Sequence, residues 1–239
     1  DFVCFPELSV TGYIQTSPSR IYGLREMEKI VDRLVRTAKK TEIVLIAGLI
    51  EVTDEGKPYI AQIIAGPDGL IGTYRKTHLG PTETAIYCPG EKIEVFKVGK
   101  TTFGVQLCYE AHFPEISTRM ALMGADIVLI PHASPRGAPE EKLKSWMRHL
   151  PARAFDNGLY VIACNQMGSF EDGLTFPGAA VVLGPDGRVL AQYVGMKEHI
   201  LYAELKDEIL QDLRTHRMKY FLPERRPWLY EKTSVNGDQ

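Results

Sequence analysis

Cysteine, glutamate and lysine side chains can together carry out acyl transfer, and three short segments of this chain supply them. Phe2-Val3-Cys4-Phe5-Pro6-Glu7 is a strand-like run that delivers a carboxylate at its end. Gly72-Thr73-Tyr74-Arg75-Lys76-Thr77-His78-Leu79 places a lysine directly after another strand-like run. Gly104-Val105-Gln106-Leu107-Cys108-Tyr109-Glu110 sets a cysteine where a strand gives way to Phe113-Pro114-Glu115, a helix start. A thiol of unperturbed pKa about 8.5 is mostly protonated at neutral pH, so an attacking thiolate needs a base or a cation beside it. Glu7 can take the proton. Lys76 and the backbone N–H of Tyr109 can stabilise the negative charge that grows on a carbonyl oxygen under attack.

Taken singly, each residue has an ordinary explanation. A carboxylate after a strand is commonly a solvated loop residue or a cap, a lysine at a strand end is commonly a surface charge, and a single cysteine is commonly a small buried hydrophobe. Their conjunction is far more specific, and it resembles the nitrilase, or carbon–nitrogen hydrolase, superfamily. The resemblance continues in Glu83, six residues before Pro89-Gly90, and in Arg153-Ala154-Phe155-Asp156-Asn157, Asn165, Phe176-Pro177-Gly178 and Arg225-Arg226-Pro227-Trp228-Leu229-Tyr230. It implies a four-layer α-β-β-α sandwich, a Glu7–Lys76–Cys108 triad, a thioester intermediate, and a role for Glu83 in orienting substrate or the attacking water. It also implies paired subunits. Family members begin with a further strand and helix, whereas this chain starts inside the Phe-Pro-Glu segment at Asp1, so a first strand and helix are expected to be missing and a sheet edge unpaired.

The substrate is expected to be a small linear amide or N-carbamoyl amine, with water as second substrate. Tyr109 stands where true nitrilases usually carry Trp, which favours the amidase and carbamoyl-hydrolase branches over nitrile hydrolysis. Members acting on acidic substrates often carry an arginine shortly after the cysteine; here the stretch reads Ala111-His112. Arg136 could instead hold a carboxylate, or could be a solvated loop charge. His112 and His132 join Tyr109 and Arg136 as candidate oxyanion or substrate-binding groups. Together with His78 they also permit a papain-like reading, but the Cys–His signature around the cysteine is absent, as is the HExxH spacing of a metal hydrolase. The chemistry calls for no metal or organic cofactor. The rival from another class is a non-catalytic binding protein on the same fold, its site disabled by the missing segment.

Positioning these residues requires strands whose ends meet. Apolar runs at Phe2–Phe5, Ile43–Val52, Tyr59–Gly66, Leu70–Arg75, Thr102–Leu107, Ile127–Pro131, Tyr160–Asn165, Ala179–Gly184 and Val189–Tyr193 alternate with helical patterns, which predicts an α/β architecture. Several runs are apolar on both faces, as strands covered on both sides are. Met27, Ile30, Val31, Leu34, Val35 and Ala38 share one helical face, Ile116, Met120 and Met123 a second, and Leu143, Trp146, Met147 and Leu150 a third. Gly-Pro-Asp-Gly occurs at 66–69 and again at 184–187, each time between two strands, predicting a hairpin in each half.

Composition removes other functions. Lys+Arg 28 against Asp+Glu 30, dispersed along 239 residues, gives no footprint for nucleic acid or an acidic membrane. No apolar run approaches a membrane span, and four widely spaced cysteines fit neither a zinc site nor a disulfide framework, so the reading is a cytoplasmic protein. Residues 1–239 are taken as one hydrolase domain, and the aromatic tail from about 218 as part of a homodimer or larger interface.

Overall fold

Along the strand Val44–Glu51 the side chains have two alternating destinations. Val44, Ile46 and Ile50 enter one apolar cluster, while Leu45 and Leu49 enter others on the opposite face. A period of two does this when both faces of a sheet are covered. The computed structural model of the chain describes residues 1–13, 24–53, 57–135, 137–169 and 173–230.

The first sheet runs β1 (Phe2–Cys4), β2 (Val44–Glu51), β3 (Tyr59–Gly66), β4 (Gly69–Arg75), with β1 parallel to β2 and the rest antiparallel. The second contains β5 (Val95–Val98), β6 (Thr101–Val105), β7 (Ile127–His132) and β8 (Tyr160–Asn165). A separate small ribbon pairs β9 (Gly168–Ser169) with β10 (Thr175–Phe176), after which β11 (Gly178–Leu183) and β12 (Val189–Gly195) complete the second sheet. Its order is β12-β11-β8-β7-β6-β5, and β6, β7 and β8 are parallel. Ile46, Ile60, Ile64 and Tyr74 of the first sheet share a cluster with Phe103, Val105, Val128, Ile130 and Val161 of the second, so the sheets face each other. At one edge Phe2 meets Phe103 edge-on, ring centroids 5.3 Å apart.

Outside the first sheet lies α1 (Leu24–Thr41), whose Met27 and Leu34 pack on Leu49, Ala61 and Ile63 and whose Ala38 packs on Leu45 and Ala65. Against the second sheet lie α2 (Pro114–Leu122), α3 (Pro139–Trp146) and α4 (Leu150–Asn157). The result is the expected α-β-β-α sandwich, with α5 (Asp207–Thr215) following β12. Both Gly-Pro-Asp-Gly segments form hairpin turns, one per sheet, and Pro114 opens α2 at its first turn.

Two local expectations need correction. The pattern through Leu143–Leu150 is not one helix: α3 ends at Trp146 and α4 begins at Leu150, because Pro151 has no N–H to continue the earlier ladder and suits only a fresh first turn. β6 stops short of Leu107: Gln106 N makes the last ladder-like bond, to Leu129 O at 2.9 Å, and the N–H of Leu107 turns instead to the Glu110 carboxylate. Strand β5 and helix α5 leave little periodic mark in the sequence, β5 being four edge residues and α5 offering Leu210 as its buried residue. The tail divides in two: Leu222 is buried and Tyr220 packs on the core, whereas Trp228, Leu229 and Tyr230 are about 60% exposed.

The parallel strands of the second sheet end together, β6 running toward Cys108, β7 toward Ala133 and β8 toward Gln166. In open α/β sheets this carboxyl end is where ligands bind. Glu7, three residues past β1, packs over the same place because Gly48 of β2 lets its turn approach. A Cβ on Gly48 would lie 2.2 Å from Leu8 N and 2.8 Å from Pro6 O. Gly48→Ala is therefore expected to lower stability by about 1–3 kcal/mol in urea titration. It should also cut the rate at which iodoacetamide alkylates Cys108, by shifting Glu7; unchanged stability and reactivity would show that the turn has room.

Candidate active site

Lys76 follows β4 into the interior, where its ammonium is fully buried between two carboxylates. Nζ lies 2.8 Å from Glu7 Oε1 and 2.9 Å from the carboxylate oxygens of Glu83. Burial alone would pull Lys76 toward neutrality, but Glu7, Cys108 and Glu83 together outweigh it and hold the amine charged, well above the ordinary lysine range. Glu83 is fixed by the N–H of Gly80, which donates to its Oε2 at 2.7 Å.

Glu7 uses its second oxygen to accept from the N–H of Ala133 at 2.8 Å, and its carbonyl accepts from Gln166 Nε2 at 2.6 Å. Both donors stand at the ends of the central parallel strands. Burial raises the Glu7 carboxyl above the usual range; the Lys76 charge opposes that rise, and Glu83 adds to it. A carboxylate raised in this way is a stronger base than one in water.

Cys108 opens a 3-10 turn, Cys108–His112, with φ +44°. Left-handed backbone at a side chain with a Cβ costs roughly 1–2 kcal/mol and needs holding from outside. Glu110 does the holding. Its buried carboxylate accepts from Leu107 N at 2.5 Å, Thr77 N at 2.7 Å, Thr77 Oγ1 at 2.5 Å and Tyr74 Oη at 2.9 Å, tying the turn of Cys108 to the segment that carries Lys76. Gln106 continues the brace, donating to Glu110 O at 2.5 Å and accepting from Ser117 Oγ of α2 at 2.6 Å. The half-buried thiol is pushed well above the ordinary range by burial first and by the Glu7 charge second, with Lys76 and the Ala133 N–H pulling it back.

Of the residues expected from the sequence, Glu7, Lys76 and Glu83 are in direct contact, and Cys108 lies within their field. His132 comes to the same place as a neutral ring. It is buried, hydrogen-bonded through Nδ1 to Ile130 O at 2.7 Å and laid against Trp146, and burial lowers its pKa to about 3. An imidazole so depressed is no cation for an oxyanion at neutral pH. The side chains of Tyr109 and His112 are exposed on the rim, with Tyr109 edge-on to Phe113 and His112 beside His149. Arg136 lies outside the described residues.

The parts not read from sequence are the positioning groups. Glu110 sits inside the cysteine motif, yet nothing in its spacing announces that Tyr74, Thr77, His78 and Leu107 all donate to its carboxylate. Asn165, a motif residue without an assigned task, bonds both backbone groups of Ser134, at 2.9 and 3.1 Å, and Pro177 O at 2.8 Å. Lys142, which donates to Ser134 Oγ at 2.6 Å, comes from α3 and was not singled out.

The carbon–nitrogen hydrolase family model matches residues 1–215. An (R)-stereoselective amidase from a Pseudomonas species is 28% identical over 241 residues, covering 100% of this chain and 84% of that protein. A nitrilase from Pyrococcus abyssi is 29% identical over 232 residues, covering 95% and 85%. Among solved structures, a mutant amidase from Nesterenkonia sp. AN1, bearing the acetamide moiety of fluoroacetamide covalently on its active-site cysteine, superposes with TM-score 0.81. It shares 27% identity and is covered to 82%, against 96% of this chain. On the extent of that family match, this chain belongs to the carbon–nitrogen hydrolase family, whose fold its paired sheets reproduce.

Proposed function

We propose that this protein hydrolyses a small linear amide or N-carbamoyl amine, through a thioester on Cys108, to an acid and ammonia or an amine. The observation that carries the reading is the buried Glu7–Lys76–Glu83 cluster beside a strained, half-buried thiol. Glu7 takes the thiol proton as sulfur adds to the carbonyl carbon. The oxyanion forms against Lys76 and the N–H of Tyr109, a group that the first turn of a helix leaves without an intrahelical partner. Collapse breaks the C–N bond, and the proton on Glu7 leaves with the nitrogen. Water then enters, gives a proton to Glu7 and attacks the thioester; the acid departs and the proton returns to Cys108. Glu83 holds the ammonium in place and orients the water. A non-catalytic binding protein would have no use for a buried cluster of this kind.

Incubation with amides and mass spectrometry should trap an acyl adduct on Cys108, and Cys108→Ala should abolish turnover with the fold retained. Cys4→Ala, Cys88→Ala and Cys164→Ala should keep activity within a few-fold. Loss of activity without unfolding in Cys164→Ala would move the nucleophile.

Nitriles offer a second substrate class to the same triad. Tyr109, in place of the nitrilase-type Trp, supports amides as the faster class. Ammonia release from a matched amide and nitrile should favour the amide; equal or faster release from the nitrile would overturn the branch assignment.

We propose one hydrolase unit assembled as a homodimer or higher homo-oligomer, in a reducing cytoplasm. The free thiols of Cys4, Cys88, Cys108 and Cys164 support the compartment, and no helix among the described residues is long and apolar enough to cross a membrane. Leu122 and Met123 at the end of α2, with Phe221, Trp228 and Leu229 of the tail, leave apolar surface exposed. Burial of each large side chain is worth about 1.5–3 kcal/mol. Light scattering should give at least a dimer at micromolar concentration, and deletion from Pro223 onward should weaken it. A monomer refutes the assembly, and an unchanged oligomer refutes the tail's part in it.

A further inference from the structure

One charged side chain near the thiol has no part in the steps above. Lys142 reaches back from α3 to donate to Ser134 Oγ at 2.6 Å. Ser134 directly follows Ala133, whose N–H holds Glu7, and its own backbone N–H and carbonyl are both bonded to Asn165. The ammonium is therefore aimed by a rigid partner at the end of β7. It is close enough to the site to feel the Cys108 sulfur, and its charge acts in turn on the buried His132 ring.

The contrast with Lys76 is in counter-ions. Lys76 has two carboxylates, whereas among the described residues no carboxylate lies within ion-pair distance of Lys142. The nearby acid on its own helix, Glu141, is turned to cap Ala138 N at 3.0 Å. Lys142 is half-buried, and that partial loss of water draws its pKa down. A partly desolvated ammonium without a counter-ion is unfavourable until something brings one. With one N–H spent on Ser134, two remain for an incoming anion.

We propose that Lys142 is a specificity-determining residue that binds a carboxylate on the acyl half of the substrate, so that monoamides of short dicarboxylic acids are preferred. The proposal rests on the amide-hydrolase reading. The acyl half is assigned because it stays on Cys108 through both half-reactions, where Lys142 can hold it. The leaving ammonia or amine becomes a cation itself and gains nothing from a lysine.

The test compares kcat/KM for succinamate and butyramide, two acyl amides of equal length that differ in the terminal carboxylate. Wild type should favour succinamate. Lys142→Met should lower the succinamate-to-butyramide ratio by about tenfold to a hundredfold, the range expected when a hydrogen bond to a charged group is lost, mainly through KM for succinamate. Lys142→Glu should turn the preference toward 4-aminobutyramide. Equal losses on both substrates, leaving the ratio unchanged, would mean a structural or thiol-activating role and overturn the proposal.

A second measurement needs no turnover: succinate should slow alkylation of Cys108 by iodoacetamide in wild type and lose that protection in Lys142→Met. No protection of wild type, or equal protection of both proteins, also overturns it. If wild type hydrolyses neither amide, the hydrolase reading fails by itself, and succinate protection still decides the role of Lys142.

Discussion

A fully buried ammonium is the constraint around which this molecule is arranged. Lys76 could not remain charged in the space between the sheets without Glu7 and Glu83 at hydrogen-bonding distance, and the Lys76 charge in turn opposes the rise that burial imposes on Glu7. Removing one member of such a set leaves an unpaired charge, which typically costs about 3–5 kcal/mol. Each member is supplied by a different stretch of chain, after β1, after β4 and from the loop beyond it. Charge compensation therefore demands that these stretches end at one place, and the alternating apolar residues of β2 and β3 hold the first sheet where that happens.

The same bookkeeping of charge explains how a thiol with a raised pKa can still react. With both acids ionised, the Glu7–Lys76–Glu83 cluster carries one net negative charge, and a thiolate beside it would make two. That, with burial, is why the Cys108 thiol holds its proton in the resting protein. Transfer of the proton to Glu7 leaves the total unchanged and only moves charge from oxygen to sulfur. Burial has already raised the affinity of Glu7 for that proton. On the proposed mechanism the thiolate accordingly forms only as sulfur attacks, with Lys76 beside the oxygen that receives the charge.

How much of this was legible in the sequence depended on whether a residue acts through its own chemistry or by holding another. The α/β alternation and the strands covered on both faces could be read from the apolar runs, because burial on two sides leaves a periodic mark, whereas the four-layer sandwich came from the family resemblance. Glu7, Lys76 and Cys108 could be nominated because their three segments together resemble one family, and Glu83 was carried over by that resemblance alone. The break between α3 and α4 was written in Pro151 but masked by the apolar spacing across it. Glu110, Ala133 and Gln166 left no comparable trace. A backbone N–H from Ala133 has no side-chain identity at all, and the partners of Glu110 lie 3 to 36 residues away, in directions set only by the folded chain. His132 was legible as a member of the site but not as a neutral one, since its charge state is fixed by burial.

Strain at the site has the same origin as its order. Leu8, next to Glu7, and Cys108 both adopt positive φ, 56° and 44°, although neither is glycine. Such conformations persist only where surroundings over-determine them. Leu8 is fully buried, and its N–H passes so close to Gly48 that the turn has no alternative path. Cys108 is fixed from both sides, by the bonds of Glu110 to Leu107 and Thr77 and by the Gln106–Ser117 link to α2. One strained residue thus adjoins Glu7 and the other is Cys108 itself, so the backbone is held in an unusual conformation at both places. The rigidity that holds Glu7 and Cys108 is borrowed from the sandwich, whose strand ends anchor the short segments that carry them.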